Sequence, residues 1–273
     1  MNVIVTGSGG FLGTHVCERL AALHKITLHR FNRREHRFGG RKIRELLSGA
    51  DVIIHLAGVN RDTDSRIQKG NADFTLLLLR DIQRWAPDAK LIFASSSQVY
   101  TQSVYGKSKL QAEQHIAACA ATHGIRSVIL RFSNIYGPFC RPFYNSVIAT
   151  FLWQIMHNQE LVIHGTGSRK RDFLYVSDAV DAIQRAMSYN PRQPCEIYDI
   201  CSGALVSLKK LLMILKHRCP VPVRVRFEAS ALPETDVKRT SYVRAQKAFG
   251  WRPDVLLPEG IQRILHQEYE VTD

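Results

Sequence analysis

The sequence predicts an α/β fold, a doubly wound parallel sheet with a smaller interleaved lobe, and two patterns predict it. A short β-branched strand opens the chain and runs directly into a glycine-rich turn and a helix. Beyond it, apolar strands alternate with helical segments, the order of a parallel sheet covered on both faces. With 273 residues, 45% of them hydrophobic, the chain can bury one large α/β unit or two interleaved lobes.

Met1 to Thr6 reads as the first strand through Val3, Ile4 and Val5, and Gly7-Ser8-Gly9-Gly10-Phe11-Leu12-Gly13 leads into a helix through Leu20. Glycines at 7, 10 and 13 suit a turn whose backbone must approach a pyrophosphate, with the helix N-terminus facing the anion. Ile26 to Arg30 is a second strand ending in a basic stretch, Arg41 to Ser48 a helix, and Asp51 to Gly58 a third strand and turn. Asn71 to Trp85 is helical, and Pro87-Asp88-Ala89 breaks it. Lys90 to Ala94 forms the strand delivering Ser95-Ser96-Ser97, a helix runs from Tyr105 to His123, and Ser127 to Phe132 is again a strand.

The chemistry concentrates in Tyr105-Gly106-Lys107-Ser108-Lys109, which sets a phenol and an ammonium four residues apart, one helical turn on one face. Lowering a phenol by roughly three units takes about 4 kcal/mol of differential stabilisation of the anion, which a nearby ammonium in a desolvated pocket can supply. Tyr105 and Lys109 are therefore expected to act together in hydride-transfer chemistry.

Thirty-seven Lys and Arg stand against 24 Asp and Glu, a formal charge of +13. The basic residues are spread along the chain, with clusters at Arg30 to Arg44 and Arg169 to Arg171 and no polybasic tail. That distribution suits small polyanions better than nucleic acid. Six scattered cysteines lack the short spacings of a zinc or dithiol site, so reduced thiols and no metal are expected; Cys140 is notable only for its loop. No run of eighteen apolar residues and no basic leader occur, so a cytoplasmic protein without membrane insertion is expected.

In order along the chain, TGSGGFLG (6 to 13), HLAG (55 to 58), Asn71, SSSQVY (95 to 100), YGKSK (105 to 109), RFSNIYGP (131 to 138), RDFLYVSD (171 to 178) and FGWRPD (249 to 254) resemble the extended short-chain dehydrogenase/reductases of the nucleotide-sugar epimerase and dehydratase family. The resemblance implies a Rossmann-like dinucleotide domain over 1–133 and 174–201, and a nucleotide-sugar lobe over 134–173 and 202–273. It implies that Gly7, Gly10, Phe11, Leu12 and Gly13 hold the pyrophosphate, that Leu56, Ala57, Gly58 and Asn71 border the cofactor, and that Lys109 binds the nicotinamide ribose beside Tyr105. Ser96, four residues before Tyr100, takes the place of the family's third catalytic residue, with Ser95 and Ser97 as alternatives. Asn134, Asn145, Arg169 and Arg171 are implied in holding the nucleotide sugar, and a homodimer through the Tyr105 helix, with Ala112 and Ala117 to Ala121 permitting the packing.

Departures narrow the reaction. NAD-preferring members end the second strand with a carboxylate for the ribose 2′-hydroxyl; this chain offers Arg30 and Arg33 there, with Glu35 the nearest acid, so NADP(H) is favoured over NAD(H). Where sugar 4,6-dehydratases carry an Asp-Glu pair after the catalytic hydroxyl, this chain has Ser97 and Gln98. The segments 51–61, 96–105 and 140–151 resemble the reductase half of bifunctional capsule enzymes acting on UDP-linked 4-keto-6-deoxy amino sugars. Reduction of such a ketone is the expected reaction. A 4-epimerase with bound NAD is the alternative enzyme, and a non-catalytic dinucleotide sensor or nucleic-acid-associated relative the alternative of another class. The stretch 34–51 leaves little room for the family's usual third strand, and Leu232 before Pro233 replaces the family's diphosphate-gripping Arg.

Overall fold

A computed structural model describes residues 1–144, 146–229 and 238–271. Its centre is a six-stranded, all-parallel sheet in the order β2-β1-β3-β4-β5-β9, made of Asn2–Thr6 (β1), Thr27–Arg30 (β2), Val52–His55 (β3), Lys90–Ser96 (β4), Ser127–Phe132 (β5) and Cys195–Ile200 (β9). The predicted alternation is thus present. The helix Arg41–Leu47 (α2) leads straight into β3, so among the described residues β2 is an edge strand with no further strand outside it.

Helices cover both faces. Phe11–Ala21 (α1) and Val176–Ser188 (α7) pack on one side, where Val16, Leu20, Ile183 and Ala186 join the sheet's Val3, Val5 and Ile54. On the other lie α2, Phe74–Trp85 (α4) and Val104–His123 (α5), closing Ile43, Phe74, Leu78 and Ile116 over Ile53, Leu91 and Ile129. Strands buried on both faces have no polar side to show, which is why they read as unbroken apolar runs. Helix α5 begins where the Ser103 hydroxyl accepts from Gly106 N and ends at Gly124 with φ +69.

One stretch departs from a plain helix. Asp64–Gln68 (α3) and α4 are joined by a single π turn, Lys69–Asp73, centred on Asn71. Sequence periodicity cannot show this, since the inserted residue shifts the helix face only locally.

A second lobe follows β5. Asn134–Tyr136 (β6), Lys170–Tyr175 (β8) and Leu205–Ser207 (β10) form a three-stranded sheet, and Leu161–His164 (β7) pairs in parallel with Val225–Glu228 (β11). The helices Val147–Met156 (α6), Leu208–Arg218 (α8) and Leu257–Tyr269 (α10) bury Ile148, Leu152, Leu211, Ile261 and Leu265 against these sheets. One expected boundary is corrected. Val243–Phe249 (α9) and Trp251 sit in the first core with β9, and Trp251 Nε1 donates to the Asp178 carbonyl at 3.0 Å, so 202–273 is not wholly the second lobe. Burying the indole beside α7 outweighs proximity in sequence. Among the described residues, no helix is long and apolar enough to cross a membrane.

Candidate active site

The chain leaves β1 toward β2 on one side and returns to β3 on the other, so the carboxyl ends of β1 and β3 flank the crevice where open parallel sheets bind ligands. The glycine turn lies there. Gly7 has φ +71, and a Cβ on it would stand 2.6 Å from Ala57 N. A Cβ at Gly13 would run into the Gly7 carbonyl oxygen. The cradle therefore exists only with bare backbone, and the α1 N-terminus opens onto it. This is a fit for a pyrophosphate, with Gly10, Phe11 and Leu12 completing the turn.

Thr6, at the end of β1, and the Leu56-Ala57-Gly58 segment after β3 are tied together by a buried imidazole. The Thr75 hydroxyl donates to the Asn71 carbonyl at 2.7 Å, so it accepts from His55 Nε2 at 3.0 Å. His55 Nδ1 then accepts from the Thr6 hydroxyl at 2.8 Å, and Ala57 N donates to the same Thr6 oxygen at 3.2 Å. Burial, aided by the nearby Lys109 charge, holds His55 down to about 3. In the unfolded chain it titrates near 6.5. Its stabilising contribution is therefore complete above pH 6.5 and is lost as pH falls toward 3, at about 1.4 kcal/mol per unit. Melting temperatures taken between pH 7 and 5 should fall more steeply for the unaltered protein than for His55→Gln.

Ser96, Tyr105 and Lys109 come together at the end of β4 and the start of α5. The Ser96 hydroxyl is the side chain that favours the ionised form of the Tyr105 phenol, and Ser96 Oγ accepts from Gln98 N at 3.1 Å. Ser95 is turned the other way and donates to Glu113 Oε1 at 2.5 Å, while Ser96 is the serine that acts on the Tyr105 phenol. Lys109 Nζ donates to the Ala94 carbonyl at 2.8 Å and lies 4.6 Å over the Phe93 ring. Burial brings the amine down to about 8 against the upward pull of Glu113.

The expected acidified phenol is corrected. Desolvation pushes Tyr105 up to about 12, the Ser96 hydroxyl opposing and Tyr144 adding to the rise. Lys109 is directed at the strand's carbonyl instead of the phenol, so the protein itself holds Tyr105 protonated.

Asn71 is corrected too. It is 1% exposed, with Oδ1 accepting from Val59 N at 3.0 Å and Nδ2 donating to Val59 O at 2.8 Å and Ser108 Oγ at 2.9 Å. Its amide is consumed shaping the turn after Gly58, and any effect on a cofactor passes through that backbone. Arg33 is exposed beyond β2, its guanidinium 4.9 Å from the Phe74 ring centroid. The Arg30 charge acts on the Cys17 thiol, opposing the upward push of burial. Glu35 is engaged by Asn32 Nδ2 at 2.8 Å.

In the second lobe, Arg171 is half-buried on β8, its charged form disfavoured by burial and by Arg169. Neither guanidinium has a carboxylate partner among the described residues, an arrangement suited to an anion. Asn134 Nδ2 donates to the Asp172 carbonyl at 2.8 Å, so that amide braces β6 against β8. Asn145 and the turn at Pro233 lie outside the described residues. Cys140 is buried with its thiol pushed up to about 11, which removes a thiolate role. Ala112 and Ala120 face the core, leaving Ala117, Ala118 and Ala121 outward on α5.

Three contributors went unassigned in the sequence: His55, Glu113 and Arg131. Glu113 had a visible signal, standing one turn beyond Lys109 on the face shared with Tyr105.

A dinucleotide cradle at the switch point, beside a serine, tyrosine and lysine, defines the class of NAD(P)-dependent short-chain oxidoreductases. The chain belongs to the NAD dependent epimerase/dehydratase family, whose model matches residues 3–201. Among curated relatives it is 33% identical over 188 residues to a UDP-2-acetamido-2,6-beta-L-arabino-hexul-4-ose reductase of Pseudomonas aeruginosa, covering 68% of this chain and 50% of that protein, so the match spans half of the relative. It is 27% identical to a putative UDP-glucose 4-epimerase of Methanocaldococcus jannaschii, with 97% of each chain covered. Two solved structures share the fold over 99% of both chains. One is a UDP-glucose 4-epimerase of Thermotoga maritima with UDP-glucose (TM-score 0.88, 24% identity), the other the RMD protein of Pseudomonas aeruginosa with NADPH (TM-score 0.82, 26% identity).

Proposed function

We propose that this protein uses NADPH to reduce the 4-keto group of a UDP-linked deoxy sugar, a reaction of surface polysaccharide or glycan biosynthesis. The observation that carries the reading is the proton inventory beside Ser96. Ser97 and Gln98 replace the carboxylate pair that elimination of water needs, and the Gln98 side-chain oxygen Oε1 accepts from the Thr101 hydroxyl at 3.3 Å and the Ser103 hydroxyl at 3.4 Å. Tyr105 is left as the proton donor, held in the protonated form that reduction of a ketone consumes.

A nicotinamide dinucleotide bound at the glycine turn supplies hydride. Gly7, Gly10, Phe11, Leu12 and Gly13 hold its pyrophosphate, and Leu56, Ala57 and Gly58 line its cleft. Ser96 donates a hydrogen bond to the carbonyl oxygen of the sugar and Tyr105 delivers the proton. Lys109, its amine anchored on the Ala94 carbonyl, borders the nicotinamide ribose. Arg169 and Arg171 take the diphosphate, with Asn134 beside them. The reductase relative and the NADPH-bound structure support this reading, while the UDP-glucose 4-epimerase relative supports the alternative of a recycled NAD.

The deciding assay gives purified protein NADPH and an enzymatically made UDP-4-keto-6-deoxy sugar. Consumption of NADPH upholds reduction; copurified NAD with interconversion of UDP-glucose and no consumption replaces it with epimerisation. The coenzyme preference rests on Arg33, which has no carboxylate partner among the described residues. Arg33→Glu should lower kcat/KM for NADPH about tenfold or more and spare NADH, because a carboxylate there repels the 2′-phosphate. A second copy of the chain is proposed to pack on α4 and α5, where Leu77 and Leu110 are exposed.

A further inference from the structure

Three consecutive residues at the end of β4 are each held by one side chain of α5. Lys109 Nζ takes the Ala94 carbonyl at 2.8 Å, Glu113 Oε1 takes the Ser95 hydroxyl at 2.5 Å, and the Tyr105 phenol neighbours Ser96, whose hydroxyl favours its ionised form. Tyr105, Lys109 and Glu113 are spaced i, i+4 and i+8, a single stripe of the helix. Ser95, Ser96 and Ser97 are chemically identical, and adjacent strand residues point to opposite faces, so a one-residue slip would present a different hydroxyl to the phenol.

Glu113 is held for this task from behind. Arg131, opposite Ser95 in the β4–β5 register, donates to its two oxygens from Nε at 2.9 Å and Nη2 at 2.5 Å. Arg131 Nη1 also donates to the Tyr100 hydroxyl at 2.8 Å, which donates to Asp199 at 3.0 Å. Glu113 is 2% exposed and Ser95 4%, and neither opens onto the crevice.

We propose that Glu113 and Ser95 are positioning residues: their hydrogen bond locks the register of the strand end against α5 and so determines that Ser96 faces Tyr105. Neither touches substrate or cofactor. The inference rests on the functional reading above only for the reaction measured.

Ser95→Ala is the clean variant, since it removes the clamp and leaves the Glu113–Arg131 pair intact. In the keto-sugar assay it should lower kcat about tenfold with both KM values within about twofold. In the Ser96→Ala background it should cost nothing more, because Ser95 acts through Ser96. An unchanged kcat for Ser95→Ala, or losses that multiply in the double variant, would overturn the proposal. Should the unaltered protein fail to reduce any keto sugar, the functional reading falls and the clamp is judged by crystallography of Ser95→Ala with NADP⁺. Ser96 displaced from Tyr105 supports it; Ser96 still facing Tyr105 refutes it.

Discussion

Tyr105→Phe is expected to reduce turnover of a nucleotide-linked keto sugar by about a thousandfold or more, with NADPH affinity little changed. On the proposed reaction the phenol is the proton donor, and phenylalanine preserves its ring while removing the proton, which burial holds in place. Losing general acid catalysis leaves an alkoxide forming without a donor in a desolvated crevice, the least favourable environment for it. Steady-state rates of NADPH oxidation and fluorescence titration of NADPH binding check the two halves. Equal losses in binding and turnover would assign Tyr105 to packing. A phenol held near 12 also predicts that turnover is not lost through its deprotonation anywhere in the neutral range.

The second large effect concerns stability. Glu113→Ala should cost about 3–5 kcal/mol, since it strands the Arg131 guanidinium, only 16% exposed, without its partner. For a chain of this size that corresponds to a fall in melting temperature of about 10 °C. Removing both ends as Glu113→Leu with Arg131→Met should restore most of it, because a paired charge replaced by apolar volume no longer carries a desolvation cost. Scanning calorimetry of the single and double variants tests this. A double variant as unstable as the single one would mean that the pair is worth more than packing can return.

Much of the architecture was legible because the central strands β1, β3, β4 and β5 are buried on both faces, and the glycine turn, the helix of Tyr105 and the strand ending in three serines are local features. Placement of Ser96, Tyr105 and Lys109 in one site followed from motif order, and the structure brings them together. The roles expected of Asn71 and of Lys109 beside the phenol did not carry through. Both depend on where a buried side chain spends its hydrogen bonds, and in each case the nearest partner was backbone from a segment distant in sequence: Val59 for Asn71, Ala94 for Lys109. Helix α9 joined the first lobe for a similar reason, since Trp251 finds its volume and its acceptor beside α7.

The sequence by itself determined the class of chemistry: residue types, spacings and the absence of acidic residues at 97 and 98 are properties of a string. Only the tertiary structure decided which serine hydroxyl acts on the phenol, which carboxylate holds Ser95 away, and in which protonation state the phenol rests. Those outcomes are set by burial and by pairing between β4, β5 and α5, which exist only once the sheet and helix have packed.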